Sequence, residues 1–173
     1  MINCSLILTV MSDDKPGVVE LLSQTIAKHD GNWLKSRMSY MAGKFAGILV
    51  INLPQDNKNK LLTDLDNLSR YGLSVTAENA GQQQSEESYQ EYIIQLTSND
   101  RPGIIKEVSQ VLAERNVNLL DLNSDSSSAP MTGAPLFQAT ALVQVPNDVD
   151  VDDLVTRLEN IANDLMIEFH IKS

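Results

Sequence analysis

Two short segments of this chain combine residue types that can hold a small charged ligand at the start of a helix. Residues 12–17 read Ser-Asp-Asp-Lys-Pro-Gly, and residues 98–103, placed 86 positions later, read Ser-Asn-Asp-Arg-Pro-Gly. A helix N-terminus presents unpaired N–H groups and the positive end of its dipole, and both favour a carboxylate. A neighbouring aspartate complements an ammonium group. Together these groups match the two charges of a free amino acid.

The same residue types also have a structural role. Asp14 is predicted to cap the following helix by accepting from its free N–H groups, and Pro16 suits the first helical turn. Gly17 has no Cβ, so another molecule can approach the backbone closely. Capping alone explains these residue types, so the motif by itself does not establish a ligand site. The second segment carries the same three types at Asp100, Pro102 and Gly103.

The remaining chemistry-bearing residues predict no catalytic or metal centre. Cys4 is the single cysteine, and the two histidines, His29 and His170, lie in unrelated local patterns, so no nucleophile and base are paired. The Gly-Lys pair at 43–44 lacks the spacing and the Ser/Thr of a phosphate-binding loop. The acidic residues 148–153 are expected to supply the first turn of a helix. We therefore expect no cofactor, no metal ion and no enzymatic activity.

The two segments occupy equivalent positions in an internal repeat. Each follows a run of alternating apolar residues, which predicts a strand. Each also precedes apolar residues spaced as on one face of a helix, which predicts a single buried stripe. The two stripes match residue by residue: Val18, Leu22 and Ile26 correspond to Ile104, Val108 and Leu112.

The second copy of the repeat contains seven extra residues. Leu61 matches Leu154 at an offset of 93, whereas Ser12 matches Ser98 at an offset of 86. The polar residues 123–135 are the predicted place for this insertion, and their composition is typical of a mobile surface loop.

Each half then predicts the order strand, helix, strand, strand, helix, strand. With right-handed crossovers, this order gives a four-stranded antiparallel sheet with two helices on one face, the ferredoxin-like arrangement of the α+β class. The polar, non-periodic stretch between the halves is predicted to be a linker. The expected domains are residues 1–80 and 91–173, joined by residues 81–90. The predicted elements are 4–11, 17–29, 33–41, 44–53, 58–71 and 73–79, then 91–98, 103–115, 118–125, 135–145, 150–163 and 165–172.

The composition limits the classes of partner. The formal charge of −10 and the pI near 4.5 argue against direct nucleic-acid binding, because phosphate backbones are bound by clustered Lys and Arg. No stretch approaches the roughly 20 apolar residues of a membrane span, and the start has no basic signal-peptide region. One cysteine fits a reducing compartment. We therefore expect a cytoplasmic protein with no membrane and no nucleic-acid partner.

The βαββαβ unit with Asp-Lys-Pro-Gly-Val-Val or Asp-Arg-Pro-Gly-Ile-Ile after its first strand resembles the ACT domain, a small regulatory module that senses amino acids. Two such units with little else resemble the glycine cleavage system transcriptional repressor family, and the resemblance covers essentially all 173 residues. It implies ligand binding where two units pair, at the loop between the first strand and the first helix. The residues that it implicates by position are Asp14, Pro16, Gly17, Val18 and Asn32, with Asp100, Pro102, Gly103, Ile104 and Asn118.

The resemblance also implies a function. We expect an amino-acid-sensing regulator, with glycine as the first candidate effector, that represses glycine cleavage genes by binding a transcriptional activator. The alternative is a regulatory subunit of an amino-acid metabolic enzyme. The pairing of ACT units that the resemblance implies can occur between the two units of one chain or between two chains in a homodimer. Val117 replaces Gly31 and the insertion has no counterpart, so the two ligand sites need not be equivalent.

Overall fold

The computed structural model describes residues 2–81, 89–128, 133–161 and 165–172. The chain divides into two compact units, Met1–Gln83 and Gln84–Ser173. Each unit contains its own cluster of buried apolar side chains.

The first unit has the predicted ferredoxin-like arrangement. Its four strands form an antiparallel sheet in the order β2-β3-β1-β4. The helix predicted over 58–71 consists of an α-helix followed by a 3-10 turn at Leu68–Tyr71. The elements are β1 (Asn3–Asp13), α1 (Val18–Ala27), β2 (Asn32–Met41), β3 (Lys44–Pro54), α2 (Lys58–Asn67) and β4 (Leu73–Asn79).

The second unit repeats this topology. Its sheet has the order β6-β7-β5-β8, so the predicted α+β fold is confirmed in both halves. The first strand begins at Tyr89, inside the stretch predicted as a linker, whose residues 82–88 lie outside the described part of the chain. The elements are β5 (Tyr89–Asn99), α3 (Ile104–Glu114), β6 (Asn118–Ser128), β7 (Pro135–Pro146), α4 (Val151–Glu159) and β8 (Met166–Ile171).

Alternation along the central strand decides which face of each sheet the helices cover. In β1, Leu6, Leu8 and Val10 are at most 1% exposed, because they face the helices. The stripe predicted on α1 packs against them, and Val18, Leu22 and Ile26 are buried. Burial of such side chains contributes roughly 1.5–3 kcal/mol each to folding. The opposite face of the sheet stays uncovered within the unit.

The hairpin between β6 and β7 corrects one prediction. Residues 123–128 belong to β6 and pair with β7, with Asp125 opposite Gln138 and Ser128 opposite Pro135. The predicted loop over 123–135 is therefore wrong for these residues, and residues 129–132 lie outside the described part. The polar composition indicated contact with water, but an edge strand such as β6 also meets water.

The strand registers locate the insertion. Asn3 pairs with Pro54 and its equivalent, Tyr89, pairs with Pro146, so six of the seven extra residues precede these prolines. Since the register along both hairpins is otherwise preserved, these six lie in the β6–β7 hairpin. The seventh lies between β7 and α4.

Both edge strands that follow a first helix contain a bulge at the same place. The register of β2 shifts between Trp33 and Lys35, and that of β6 shifts between Leu119 and Asp121. The inserted residue is a leucine in both strands. These leucines, Leu34 and Leu120, are 52% and 43% exposed.

The replacement of Gly31 by Val117 has a local explanation at the C-terminal end of the first helix. A Cβ on Gly31 would lie 2.6 Å from Cγ2 of Ile26, which is too close for real atoms. In the second unit the equivalent of Ile26 is Leu112, which has no branch at Cβ. The N–H groups of Gly31 and Val117 both donate to the equivalent carbonyl at 3.0 Å. This difference therefore concerns helix packing at the end remote from the predicted ligand loop.

Candidate functional site

The predicted loops are short turns that connect the first strand of each unit to its first helix. We call residues 14–17 the first turn and residues 100–103 the second turn. Each is tied to the neighbouring hairpin by one backbone hydrogen bond. The N–H of Asp14 donates to the carbonyl of Gly43 at 3.1 Å, and the N–H of Asp100 donates to that of Pro135 at 3.0 Å. The same anchor therefore positions both turns.

Glycine, not aspartate, stands at the start of each helix. Gly17 and Gly103 are the N-cap residues, with φ of 90° and 98°, a left-handed conformation that residues with a Cβ adopt only at a cost. Neither helix has a side-chain cap. The predicted capping by Asp14 and Asp100 is therefore wrong, because these residues lie three positions before the N-cap. Pro16 precedes the N-cap and is outside the helix.

The first turn faces open space. A Cβ on Gly17 would meet no atom within 4 Å, and Asp14 is exposed. The surface cleft at this turn measures about 270 Å³. At roughly 30 Å³ per water molecule, it has room for several waters or a small amino acid. Its lining residues are Asp14, Lys15, Gly17, Val18, Val19, Glu20 and Phe45.

Lys15 connects the first turn to the end of the second helical segment. Its Nζ donates a hydrogen bond to the carbonyl of Tyr71, the last residue of the 3-10 turn. A second cleft of about 180 Å³ adjoins this contact. Its lining includes Pro16, Leu21 and Leu73. The two clefts at this turn therefore share Lys15, Gly17 and Val18.

The second turn carries a different contact at the equivalent place. Arg101 donates from Nη1 to Oε1 of Glu107 at 2.9 Å and from Nη2 to Oε2 at 2.6 Å. This guanidinium lowers the pKa of Glu107. The same Oε1 lies 3.5 Å from the position that a Cβ on Gly103 would occupy. A carboxylate of the chain itself therefore stands beside the start of α3, whereas Leu21 occupies the equivalent position of α1.

The two aspartates of the turns also differ in their partners. Asp100 accepts a hydrogen bond from Oγ of Ser126 at 2.6 Å. In the first unit, Tyr40 stands at the position equivalent to Ser126. Within the described residues, the carboxylate of Asp14 has no hydrogen bond or ion pair. Among the described residues, the carboxylate of Asp14 is therefore available to a ligand, whereas the equivalent carboxylate of Asp100 is hydrogen-bonded to Ser126.

The apolar residues predicted to line the site belong mainly to the cores. Val18 is 6% exposed and Ile104 is 3% exposed, and each packs in the buried cluster of its unit. Val18 also borders both clefts of the first turn. These two side chains mainly anchor the start of each helix to its sheet. They expose little surface to a ligand.

The two predicted asparagines lie away from the turns. Asn52 pairs with Asn32 on one side and with Ser5 on the other, whereas the first turn follows Asp13 at the opposite end of β1. At about 3.3 Å per residue, the separation along the strand is roughly 25 Å. Asn118 has the equivalent place in the second unit. The structure therefore brings neither asparagine to the turn of its own unit.

The cysteine and the histidines have structural contacts. The thiol of Cys4 donates to the carbonyl of Leu53 at 3.6 Å, and Nε2 of the buried His29 lies 2.9 Å from Oδ2 of Asp64. His170 is exposed beside Glu168. In the described part of the chain, no three His, Cys, Asp or Glu side chains lie together as metal ligands. In the same residues, no helix is long and apolar enough to cross a membrane.

The predicted acidic helix start is confirmed in α4. Asp150 is its N-cap, and the carboxylate accepts from the N–H groups of Asp152 at 3.0 Å and Asp153 at 3.3 Å. This helix thus has the side-chain cap that α1 and α3 lack. The helix α2 also begins without a side-chain cap, so an uncapped start is not specific to the two turns.

Sequence reasoning missed the residues that make the turns different. The contacting residues that were not predicted are Lys15, Phe45 and Tyr71 at the first turn, and Glu107 and Ser126 at the second. One signal was present in the aligned repeats, since the partly buried Leu21 of one copy corresponds to Glu107 in the other. The partners on distant strands have no local signal.

Comparison with protein families agrees with this geometry. Models of the ACT domain match residues 5–77 and residues 92–163, which are the cores of the two units. The chain belongs to the ACT-domain family. It is a tandem ACT protein, and the two turns are the β1–α1 and β5–α3 connections of its ACT units.

Two solved structures share the fold of the whole tandem ACT chain. An unknown protein from Galdieria sulphuraria is 23% identical with a TM-score of 0.82, over 99% of this chain and 100% of the other. A proposed glycine cleavage system transcriptional repressor is 15% identical with a TM-score of 0.70, over the same shares of both chains. No curated protein matches. At these identities the similarity establishes the fold alone.

Proposed function

We propose that this ACT-domain regulatory protein senses a small amino acid at its first turn. The observation that carries the proposal is the open start of α1, with no side-chain cap, next to the carboxylate of Asp14, which has no partner among the residues that the structure describes. In this proposal the ligand site is formed by the predicted residues of the first turn, Asp14, Pro16, Gly17 and Val18. The second turn, with Asp100, Pro102, Gly103 and Ile104, has a structural role.

The chemistry of the first turn suits both ends of an amino acid. The ligand carboxylate would accept from N–H groups in the first turn of α1, where the helix dipole stabilises negative charge. The ligand ammonium would pair with Asp14. A charge-assisted hydrogen bond of this kind contributes roughly 1.5–3 kcal/mol. The cleft of about 270 Å³ has room for a small amino acid, and glycine is the first candidate.

The regulatory output that we propose is repression of glycine cleavage genes through contact with a transcriptional activator. Two observations support it. The fold extends over the whole length of a proposed glycine cleavage repressor. The formal charge of −10 also favours a protein partner over DNA, because the phosphate backbone is itself negative. Ligand binding would shift the affinity for the partner by favouring one of two states.

Titration calorimetry tests the sensing proposal directly. The full chain is titrated with glycine, serine and valine, and we expect heat from glycine with one site per chain. Valine, with its branched side chain, should bind more weakly. If folded protein gives no heat with any of the three, the chain does not sense a small amino acid.

Affinity capture tests the proposed output. The tagged full chain is used as bait, with and without glycine, and the captured proteins are identified by mass spectrometry. A transcriptional activator supports the proposal, and an amino-acid metabolic enzyme supports the regulatory-subunit alternative instead. Gel-shift titration of the chain alone should show no specific DNA retention. Tight, salt-sensitive DNA binding would contradict the protein-partner route.

A further inference from the structure

The sheet of the first unit exposes apolar side chains on the face away from the helices. We call Ile7, Met11, Ala46, Ile48 and Val50 the apolar face. They lie on the two central strands, where Ile7 pairs with Val50 and Met11 pairs with Ala46. Met11 is 55% exposed and Ile48 is 47% exposed. On β3 the three apolar residues follow one another on this face, whereas on β1 Thr9 lies between Ile7 and Met11. An exposed apolar cluster at the centre of a sheet is typical of an interaction site.

The second unit is an internal control for this surface. It has the same fold and register, yet its equivalent positions carry polar side chains. Thr97 replaces Met11, Gln138 replaces Ala46 and Thr140 replaces Ile48. Only the equivalents of Ile7 and Val50 remain apolar. The fold therefore does not require the apolar face of the first unit.

Opposite charges flank the apolar face at its two edges. One row across the sheet reads Lys35, Val50, Ile7 and Glu78 from β2 to β4. The two charged residues are three strand spacings apart, about 14 Å, so they cannot pair with each other in one copy. Among the described residues, neither has an ion-pair partner. Each edge of the face thus presents one uncompensated charge.

This arrangement is complementary to itself. A twofold axis parallel to the strands, placed between two such faces, reverses the order of the strands and keeps each row at its own level. Lys35 of one copy then faces Glu78 of the other, and the reverse pair forms at the opposite edge. In the same row, Ile7 faces Val50 at the centre. The apolar contacts and both charge pairs form together.

We propose that a second copy of this chain docks on the apolar face, which forms a twofold-symmetric homodimer through the sheets of the two first units. This contact uses the sheet face and neither turn, so it is independent of amino-acid sensing. Four strands about 4.8 Å apart, taken over about 20 Å of their length, give roughly 400 Å² of flat sheet per copy. Stable interfaces bury roughly 800 Å² per partner, so we expect a weak, reversible dimer.

Charge exchange is the decisive test. Sedimentation velocity of the full chain, from roughly 1 µM to 500 µM, should show a monomer–dimer equilibrium. Lys35→Glu or Glu78→Lys alone places like charges opposite each other twice, and each should weaken the dimer about tenfold or more. The double variant restores both pairs and should return within about threefold of the wild type. Lys60→Glu changes the net charge equally on the exposed side of α2 and should leave the dimer unchanged.

Ile48→Thr gives a second test, because it introduces the residue that the second unit already carries at this position. We expect at least tenfold weaker dimerisation with an unchanged melting temperature at low concentration, since Ile48 is half-exposed in the single copy. A chain that remains monomeric up to the highest concentration overturns the proposal. So does a dimer that resists both single charge reversals, because it would use another surface. All these measurements are made without amino acid, so they do not depend on the sensing proposal.

Discussion

Arg101 binds Glu107 with both terminal nitrogens, and the pair holds a carboxylate beside Gly103 at the start of α3. The first unit has no equivalent, since leucine occupies the position of this glutamate. A ligand carboxylate at the second turn would meet a like charge that the chain supplies itself. The ion pair is the specific reason for assigning the sensing role to the first turn.

Glu107→Leu should open the second turn. The variant carries the residue of the first unit, and it removes the carboxylate beside Gly103. We expect the calorimetric stoichiometry for glycine to rise from one site towards two, with little change in stability, because both side chains of the ion pair are partly exposed to solvent. Glu114→Leu on the same helix is the matched control and should keep one site. An unchanged stoichiometry in the Glu107 variant would show that the ion pair does not close the turn.

Asp14→Asn should weaken glycine binding about tenfold or more, because the ammonium loses a charged acceptor. The fold should be unaffected, since the carboxylate of Asp14 has no partner in the described chain. Asp100→Asn removes the equivalent charge but keeps an oxygen that can accept from Ser126, and it should leave glycine binding unchanged. Calorimetry on both variants makes the comparison. Equal losses in the two would contradict the assignment of the site to the first turn.

Stability should fall in acid. The pKa values of Asp13, Asp64, Glu91 and Glu107 are all lowered from ordinary values of 3.8 for Asp and 4.5 for Glu, in each case first by a hydrogen bond from a Lys or Arg side chain. The unfolded chain therefore binds more protons between the two sets of values, so stability rises with pH there. The stability that these four carboxylates contribute is fully present above their ordinary pKa values. It is lost as the pH falls through their lowered pKa values in the folded chain.

The melting temperature at pH 7 and pH 3 checks this expectation. Glu107→Gln cannot titrate at this position, so its melting temperature should fall less between the two pH values than that of the wild type. A fall equal to that of the wild type would mean that Arg101 gives no linked stability to the folded state.

Gly31→Val should destabilise the first unit by roughly 1–3 kcal/mol through overpacking, because its Cβ would lie 2.6 Å from Cγ2 of Ile26. Ile26→Leu moves this branch away and reproduces the pair found in the second unit. We expect the double variant to be more stable than the sum of the two single effects by about 0.5 kcal/mol or more. Urea unfolding of all four proteins measures the coupling. Simple additivity would show that the backbone carbonyl of Ile26, not its side chain, sets the limit.

The fold was predictable because its signals are local and duplicated. The stripes beginning at Val18 and Ile104 and the strands before them are periodic in sequence, and the repeat confirms each assignment twice. The predicted strand over 118–125 is confirmed, but the predicted loop was wrong for residues 123–128. Polarity reports contact with water, whereas pairing with β7 depends on the distant residues 135–140. Composition cannot separate an edge strand from a loop.

The candidate site was predictable in position but not in contacts. The aspartate and glycine of each turn were found, yet Asp14 was expected to cap a helix that begins at Gly17 with a left-handed residue. The partners of the second turn, Ser126 and Glu107, depend on tertiary packing and on one divergent position in the repeat. A motif shared by both copies could not reveal that difference.

The bulges at Leu34 and Leu120 have a consequence for solubility. An edge strand with an unbroken row of free N–H and C=O groups can add strands from other chains and start aggregation. In β2 and β6 the inserted leucine interrupts that row near the beginning of the strand and increases the local twist. The duplicated bulge shortens the straight part of the β2 edge and of the β6 edge and so disfavours the addition of strands there.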